Sequence, residues 1–156
     1  MANITTYSYD ANGNLISTTD PLGNTTTMTY DTHGWLLTMT DPKGNVTQYT
    51  YDTFGRIETV TDPLGKVTQY TYTADDKLSS VTDANGHTIN YEYDQLGRIT
   101  KMTDQLGKME TYTYDAYGNL ITMTDRKGQT TAYTYDQLNR MIGVDYADGS
   151  FTDVTV

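Results

Sequence analysis

A chain of 156 residues with a formal net charge of −10 and no cysteine is long enough for one ordinary domain or a short repeat array. The acidic balance sets it against phosphate backbones, so nucleic acid is not expected as a partner. Without cysteine there is neither a disulfide framework nor a thiolate metal site.

Fifteen Tyr stand against one Trp and two Phe, and Thr, Asp and Gly are abundant. That usage favours strands and turns over helices. The first ten residues lack the basic and apolar regions of a secretory signal. No run approaches the ~18 apolar residues of a bilayer span, so no membrane partner is expected. Regular Tyr spacing argues against disorder, which the polar composition alone would suggest.

After a partial repeat over 1–8, units begin at 9, 30, 51, 72, 93, 114 and 135, giving one array over 1–156. Each begins with a Tyr: Tyr9, Tyr30, Tyr51, Tyr72, Tyr93, Tyr114 and Tyr135 lie 21 residues apart. A second column, two residues earlier, holds Tyr7, Met28, Tyr49, Tyr70, Tyr91, Tyr112, Tyr133 and then Val154. An Asp follows the first column at Asp10, Asp31, Asp52, Asp94, Asp115 and Asp136, with Thr73 the exception. Gly13, Gly34, Gly55, Gly97 and Gly118 close that turn, and Asp76 and Asn139, which tolerate a positive φ, replace Gly in the other two.

Half a period later comes a return turn. It reads Asp20-Pro21-Leu22-Gly23, Asp41-Pro42-Lys43-Gly44 and Asp62-Pro63-Leu64-Gly65, and then loses its Pro in later copies. Asp, Pro and Gly at these places predict a type I turn whose Gly is the left-handed residue of a G1 bulge. Strands are expected over about 56–61 and 66–72, so each unit reads strand, turn, strand, turn. The fold expected is all-β: tandem 21-residue hairpins in one continuous antiparallel ribbon, twisted or curled.

An odd period flips the face of the sheet at every repeat unless each unit holds an odd number of face-shifting irregularities. The columns Leu36, Ile57, Leu78, Ile99, Leu120 and Met39, Val60, Val81, Met102, Met123 are three residues apart. A bulge between them puts both on the Tyr face, and a regular strand puts them on opposite faces. Both arrangements are open at this point.

Two repeats, Tyr49-Thr50-Tyr51-Asp52-Thr53-Phe54-Gly55-Arg56-Ile57 and Tyr91-Glu92-Tyr93-Asp94-Gln95-Leu96-Gly97-Arg98-Ile99, carry the pattern most clearly. With the Thr-Asp-Pro-x-Gly turn, it resembles the RHS/YD repeat over essentially the whole chain. In that family the repeats form a long ribbon that spirals into a hollow shell. Bacterial Rhs and Tc toxin proteins enclose a toxic C-terminal domain in it, and teneurins carry a similar shell outside the cell. The resemblance therefore implies encapsulation or surface binding, in a parent that is secreted or at the cell surface. These 156 residues are expected to be far too few to close a shell, and no plug or toxin domain is expected among them. The chain's Asp-Pro turns run on to Asn24, Asn45 and Lys66, not to the Leu of the shell's self-cleaving end motif, so no protease residue is carried over. It is expected to be an excised or engineered segment, or a short natural array.

The Tyr rows suit sugar rings or a protein partner, or else they are the apolar face of the ribbon. The Asp rows offer carboxylates for Ca²⁺, but copies near 10 Å apart are too distant to share an ion, and Asx turns explain them. No metal or cofactor is expected. His33, His87, Glu58, Glu92 and Glu110 have no repeated partner and no catalytic pattern, so no enzyme is expected. The sequons at Asn3, Asn24 and Asn45 follow from a Thr-rich repeat. The expected function is a structural scaffold of the shell-wall kind; the alternative is a carbohydrate- or protein-binding surface. A single-layer ribbon with open terminal strands is also expected to form a homo-oligomer, through its Tyr face or its strand edges.

Overall fold

The computed structural model describes residues 4–153. Asn3 of the first sequon, and Val154 to Val156, lie outside the described residues. Fifteen strands follow in chain order: β1 (Thr6–Tyr9), β2 (Leu15–Thr19), β3 (Thr25–Tyr30), β4 (Leu36–Thr40), β5 (Val46–Tyr51), β6 (Ile57–Thr61), β7 (Val67–Tyr72), β8 (Leu78–Thr82), β9 (Thr88–Tyr93), β10 (Ile99–Thr103), β11 (Met109–Tyr114), β12 (Leu120–Thr124), β13 (Thr130–Tyr135), β14 (Met141–Asp145) and β15 (Phe151–Asp153). Spatial order follows sequence order, and the described residues contain no helix. The described chain divides into two compact units: one up to residue 71 together with 82–85, the other 72–81 together with 86 onwards.

The register contains the face shift that an odd period demands. In the first unit Tyr30 pairs with Leu36 and Thr29 with Thr38, so Leu37 faces no partner. Ile16 and Glu58 are the extra residues of the neighbouring hairpins. In the second unit Thr100, Ile121 and Ile142 take that place. The bulge falls between the two apolar columns: Leu36 lies opposite Tyr30, and Met39 opposite Met28. Both columns therefore share the Tyr face, and the opposite-face alternative is excluded.

The turns take the type I plus G1 form. Asp52 donates its N–H to the Arg56 carbonyl at 2.9 Å, and Gly55 donates to the Asp52 carbonyl at 3.0 Å. Gly55 has a φ of 80°, and the replacements Asp76 and Asn139 sit at 63° and 59°. The opposite face is lined by Thr. Thr29 and Thr38, Thr50 and Thr59, and Thr113 and Thr122 face each other across strands with hydroxyls 2.6, 2.7 and 2.5 Å apart. Burial is shallow because each unit is one layer thick: among the described apolar residues only Val144 is buried.

Candidate functional site

The bulge creates a polar problem, and a Tyr solves it. Leu15 pairs with Tyr9 on one side, but the ladder between β2 and β3 stops at Ser17 and Thr27. The Leu15 carbonyl is thus left without a strand partner on the β3 side, and an unpaired backbone carbonyl is costly wherever water is excluded. Tyr30, from the next repeat, donates its hydroxyl to that carbonyl at 2.9 Å. The clamp recurs from Tyr51 to Leu36 at 2.8 Å, Tyr93 to Leu78 at 2.8 Å, Tyr114 to Ile99 at 2.8 Å and Tyr135 to Leu120 at 3.0 Å. Partial burial raises the hydroxyl pKa of Tyr51, Tyr93 and Tyr135, so the donating form is kept. Tyr9, with no earlier hairpin among the described residues, is 59% exposed.

A second contact joins the same repeats. In several repeats the residue after the turn Gly or its replacement lies over the Tyr ring of the next repeat: Trp35 has its ring 5.4 Å from that of Tyr51, and Arg98 has its guanidinium carbon 4.5 Å from the Tyr114 ring centre. Lys77 holds the same place, with Nζ 5.8 Å from the Tyr93 ring centre. Arg98 is aimed by its own turn, since Nε donates to Asp94 Oδ2 at 2.6 Å, and Nη1 reaches the Asp115 carbonyl at 3.2 Å. The repeat pattern held this column, since Trp35, Arg56, Lys77, Arg98 and Arg140 all follow the turn Gly or its replacement, but not the ring it covers.

The Asp rows are spent inside the turns. Asp20 Oδ1 accepts the N–H groups of Leu22 and Asn24 at 2.8 and 2.9 Å, and its Oδ2 accepts Asn24 Nδ2 at 2.8 Å. The Asn24 side chain is the main reason the Asp20 carboxyl sits below its ordinary pKa. Asp41 and Asn45 repeat the arrangement, so the sequon residues Asn24 and Asn45 serve as turn locks. Asp10, Asp31, Asp52, Asp94, Asp115 and Asp136 make the same Oδ1 bonds in the Tyr-Asp turns, and Thr73 substitutes its hydroxyl. Among the described residues no group of three or more His, Asp or Glu could hold a metal ion.

The remaining candidates go to separate local contacts. His33 stacks on Trp35 with ring centres 4.7 Å apart. Glu92 pairs with Lys101 at 2.7 Å. Glu110 accepts from Tyr112 at 2.9 Å and meets Arg126 at 2.9 Å. Burial first, and then that bond to Glu110, push the Tyr112 hydroxyl up to about 12.

A family model described as RHS Repeat matches seven overlapping windows: 3–25, 9–46, 30–67, 51–88, 72–109, 93–130 and 114–150. The chain belongs to the RHS repeat family. No curated protein matches this RHS chain. Among solved structures it resembles a Photorhabdus luminescens Tc holotoxin pore carrying a TccC3 mutation, with a TM-score of 0.78 at 20% identity over 91% of this chain. It also resembles TcdB2-TccC3, and TcdB2-TccC3 without its hypervariable C-terminal region, each with a TM-score of 0.82 at 20% identity over 97%. At that identity the likeness shows a shared fold. The RHS chain spans only 9% or 10% of the length of those chains.

Proposed function

We propose that this chain is a wall segment of an RHS-type encapsulating shell, acting as a structural scaffold and not as an enzyme, in a parent that is secreted or displayed at the cell surface. The observation that carries this reading is the Tyr clamp. Five hairpins supply a Tyr hydroxyl to the carbonyl left open by the predecessor's bulge, so within each compact unit a repeat is completed by the next, as expected of an array that extends by addition. Residues that would otherwise offer chemistry are engaged within the fold: the Asp carboxylates lock turns, and Arg98 covers the next Tyr.

The test is replacement. Seven consecutive repeats of a TccC3 shell would be exchanged for this chain, and particles would be examined by electron microscopy and limited proteolysis. A closed, protease-resistant particle is expected. A folded β-rich product that leaves the shell open would overturn the reading.

A second reading, a carbohydrate- or protein-binding surface, is favoured by the other Tyr column. No hydrogen bond is made by the hydroxyls of Tyr49, Tyr70, Tyr91 or Tyr133 among the described residues, and their rings remain half-buried. Saturable binding on a glycan array, lost in Tyr49→Ala, would support it. Self-association through this face or through the strand edges belongs to the same reading.

A further inference from the structure

The turn tips carry side chains that the turns do not require. In the turns that begin with Asp, the third residue gives its N–H to the Asp carboxylate, as Leu64 does to Asp62 and Leu96 to Asp94, and its side chain stands in solvent. Turn chemistry favours Gly, Asn, Asp, Ser or Pro. Yet three successive Tyr-Asp turns of the second unit present Leu96, Tyr117 and Leu138, which are 74%, 82% and 73% exposed. Three successive return turns of the first unit present Leu22 at 87%, Lys43, and Leu64 at 83%. Single exposed apolar residues are ordinary, but repetition at one turn position is not.

The two rows match in pitch, order and charge. Each places a tip on every second strand, about 10 Å apart at ~4.8 Å per strand. Set side by side in either direction, Leu meets Leu at both ends and Lys43 meets Tyr117 at the centre, a cation over an aromatic ring. Tyr117 borders a groove of about 540 Å³ that is also lined by Asp115, Tyr135 and Asp136. Arg140 neutralises Asp136 at 2.7 Å. At Asp115, Asn119 holds the place of that Arg, and no ion pair joins Asp115 or Lys43 among the described residues.

We propose that the return-turn row Leu22, Lys43 and Leu64 of one copy docks on the row Leu96, Tyr117 and Leu138 of a second copy, with Lys43 seated against Tyr117 and Asp115. The contact is heterologous, so each copy keeps one row free and further copies can add. It goes beyond the wall assignment and does not depend on it: loss of this contact would leave that assignment standing.

Two variants of the full chain test it by sedimentation velocity over a dilution series. One carries Leu96→Ser, Tyr117→Ser and Leu138→Ser; the other carries Leu22→Ser, Lys43→Glu and Leu64→Ser. The unaltered chain is expected to grow in mass with concentration. Each variant alone stays at one 17.5 kDa chain, and an equimolar mixture forms a one-to-one pair and nothing larger. Unchanged thermal midpoints, expected because the tips are exposed, show that the fold is kept. Two single changes carry the test if a triple variant melts early: Lys43→Arg keeps the association, and Lys43→Glu weakens it at least about tenfold. The proposal fails if the unaltered chain is monomeric throughout, if either variant alone associates like the unaltered chain (which would place the contact on the Tyr face or strand edges), if the mixture stays monomeric, or if Lys43→Glu changes nothing.

Discussion

The two rows of turns share one backbone form and differ in what leans on them. In the return turns a side chain built onto Gly23, Gly44, Gly65, Gly107 or Gly128 meets nothing within 4 Å. In the Tyr-Asp turns, Gly55 would meet the Trp35 ring at 2.7 Å, and Gly97 would meet the Lys77 side chain at 2.7 Å. The return turn closes its own hairpin. The Tyr-Asp turn also seats the side chain that covers the next Tyr, so it is the joint between repeats.

Acid should have the largest effect, and it should strike both rows. The side-chain amide of Asn14 is the largest cause holding Asp10 below its ordinary 3.8, and Asn45 does the same for Asp41. For Asp94 and Asp136 the largest cause is the backbone N–H of Arg98 and of Arg140. A carboxyl depressed in the folded state contributes stability above its unfolded pKa and loses it as pH falls through the folded value. The thermal midpoint should hold between about pH 5 and 8 and fall below about pH 4. A midpoint at pH 3 equal to that at pH 7 would show that the carboxylate locks are energetically idle.

Single glycines separate the two rows of turns. Gly55→Val and Gly65→Val both force a branched side chain into a positive φ, at about 1–2 kcal/mol. Gly55→Val must also displace Trp35, and should cost about 1 kcal/mol more in chemical denaturation. Val at Asp76, where the native side chain already accepts a φ of 63°, should cost less than Val at Gly55. Equal midpoint shifts at Gly55 and Gly65 would erase the distinction between the rows.

The Tyr columns divide in the same way. Tyr51→Phe leaves the Leu36 carbonyl without its donor and should cost about 1 kcal/mol. Tyr49→Phe removes a hydroxyl with no protein partner among the described residues and should stay within about 0.5 kcal/mol. Matching losses from paired urea melts would deny the clamp its role.

Much of this was legible in the sequence because period and turn chemistry are local. The 21-residue spacing, the positive-φ positions down to Asp76 and Asn139, and the need for one face shift per unit all follow from short-range rules. The clamp was not legible. It joins residues 15 apart in sequence through a carbonyl that only the bulge leaves open, as in Tyr30 and Leu15. The ring contact of Arg98 likewise depends on how successive hairpins overlap, and the pattern showed a column of Arg without its target. The Tyr rows could be assigned to the apolar face from composition, but what their hydroxyls do required the register.

The smallest expected effect lies on the Thr face, where one repeat carries an ion pair. Glu92 and Lys101 stand opposite each other at the place held by Thr29 and Thr38, Thr50 and Thr59, and Thr113 and Thr122. The ion pair is 2.7 Å long, but its side chains are 61% and 31% exposed. Water and salt screen such a pair, and ordering two long side chains offsets most of the attraction, leaving about 0–1 kcal/mol. A Thr pair across strands contributes a similar few tenths of a kcal/mol through packing and a hydroxyl bond. The double change Glu92→Thr with Lys101→Thr should therefore shift stability by less than about 0.5 kcal/mol, and its midpoint should respond less to added salt. Either single change should cost more than the double, because each leaves one long charged chain facing a short neutral one. A loss above about 1.5 kcal/mol for the double change, measured by urea denaturation at moderate salt, would mean that this face is held by charge at that repeat, and that the two faces differ less than the two rows of turns.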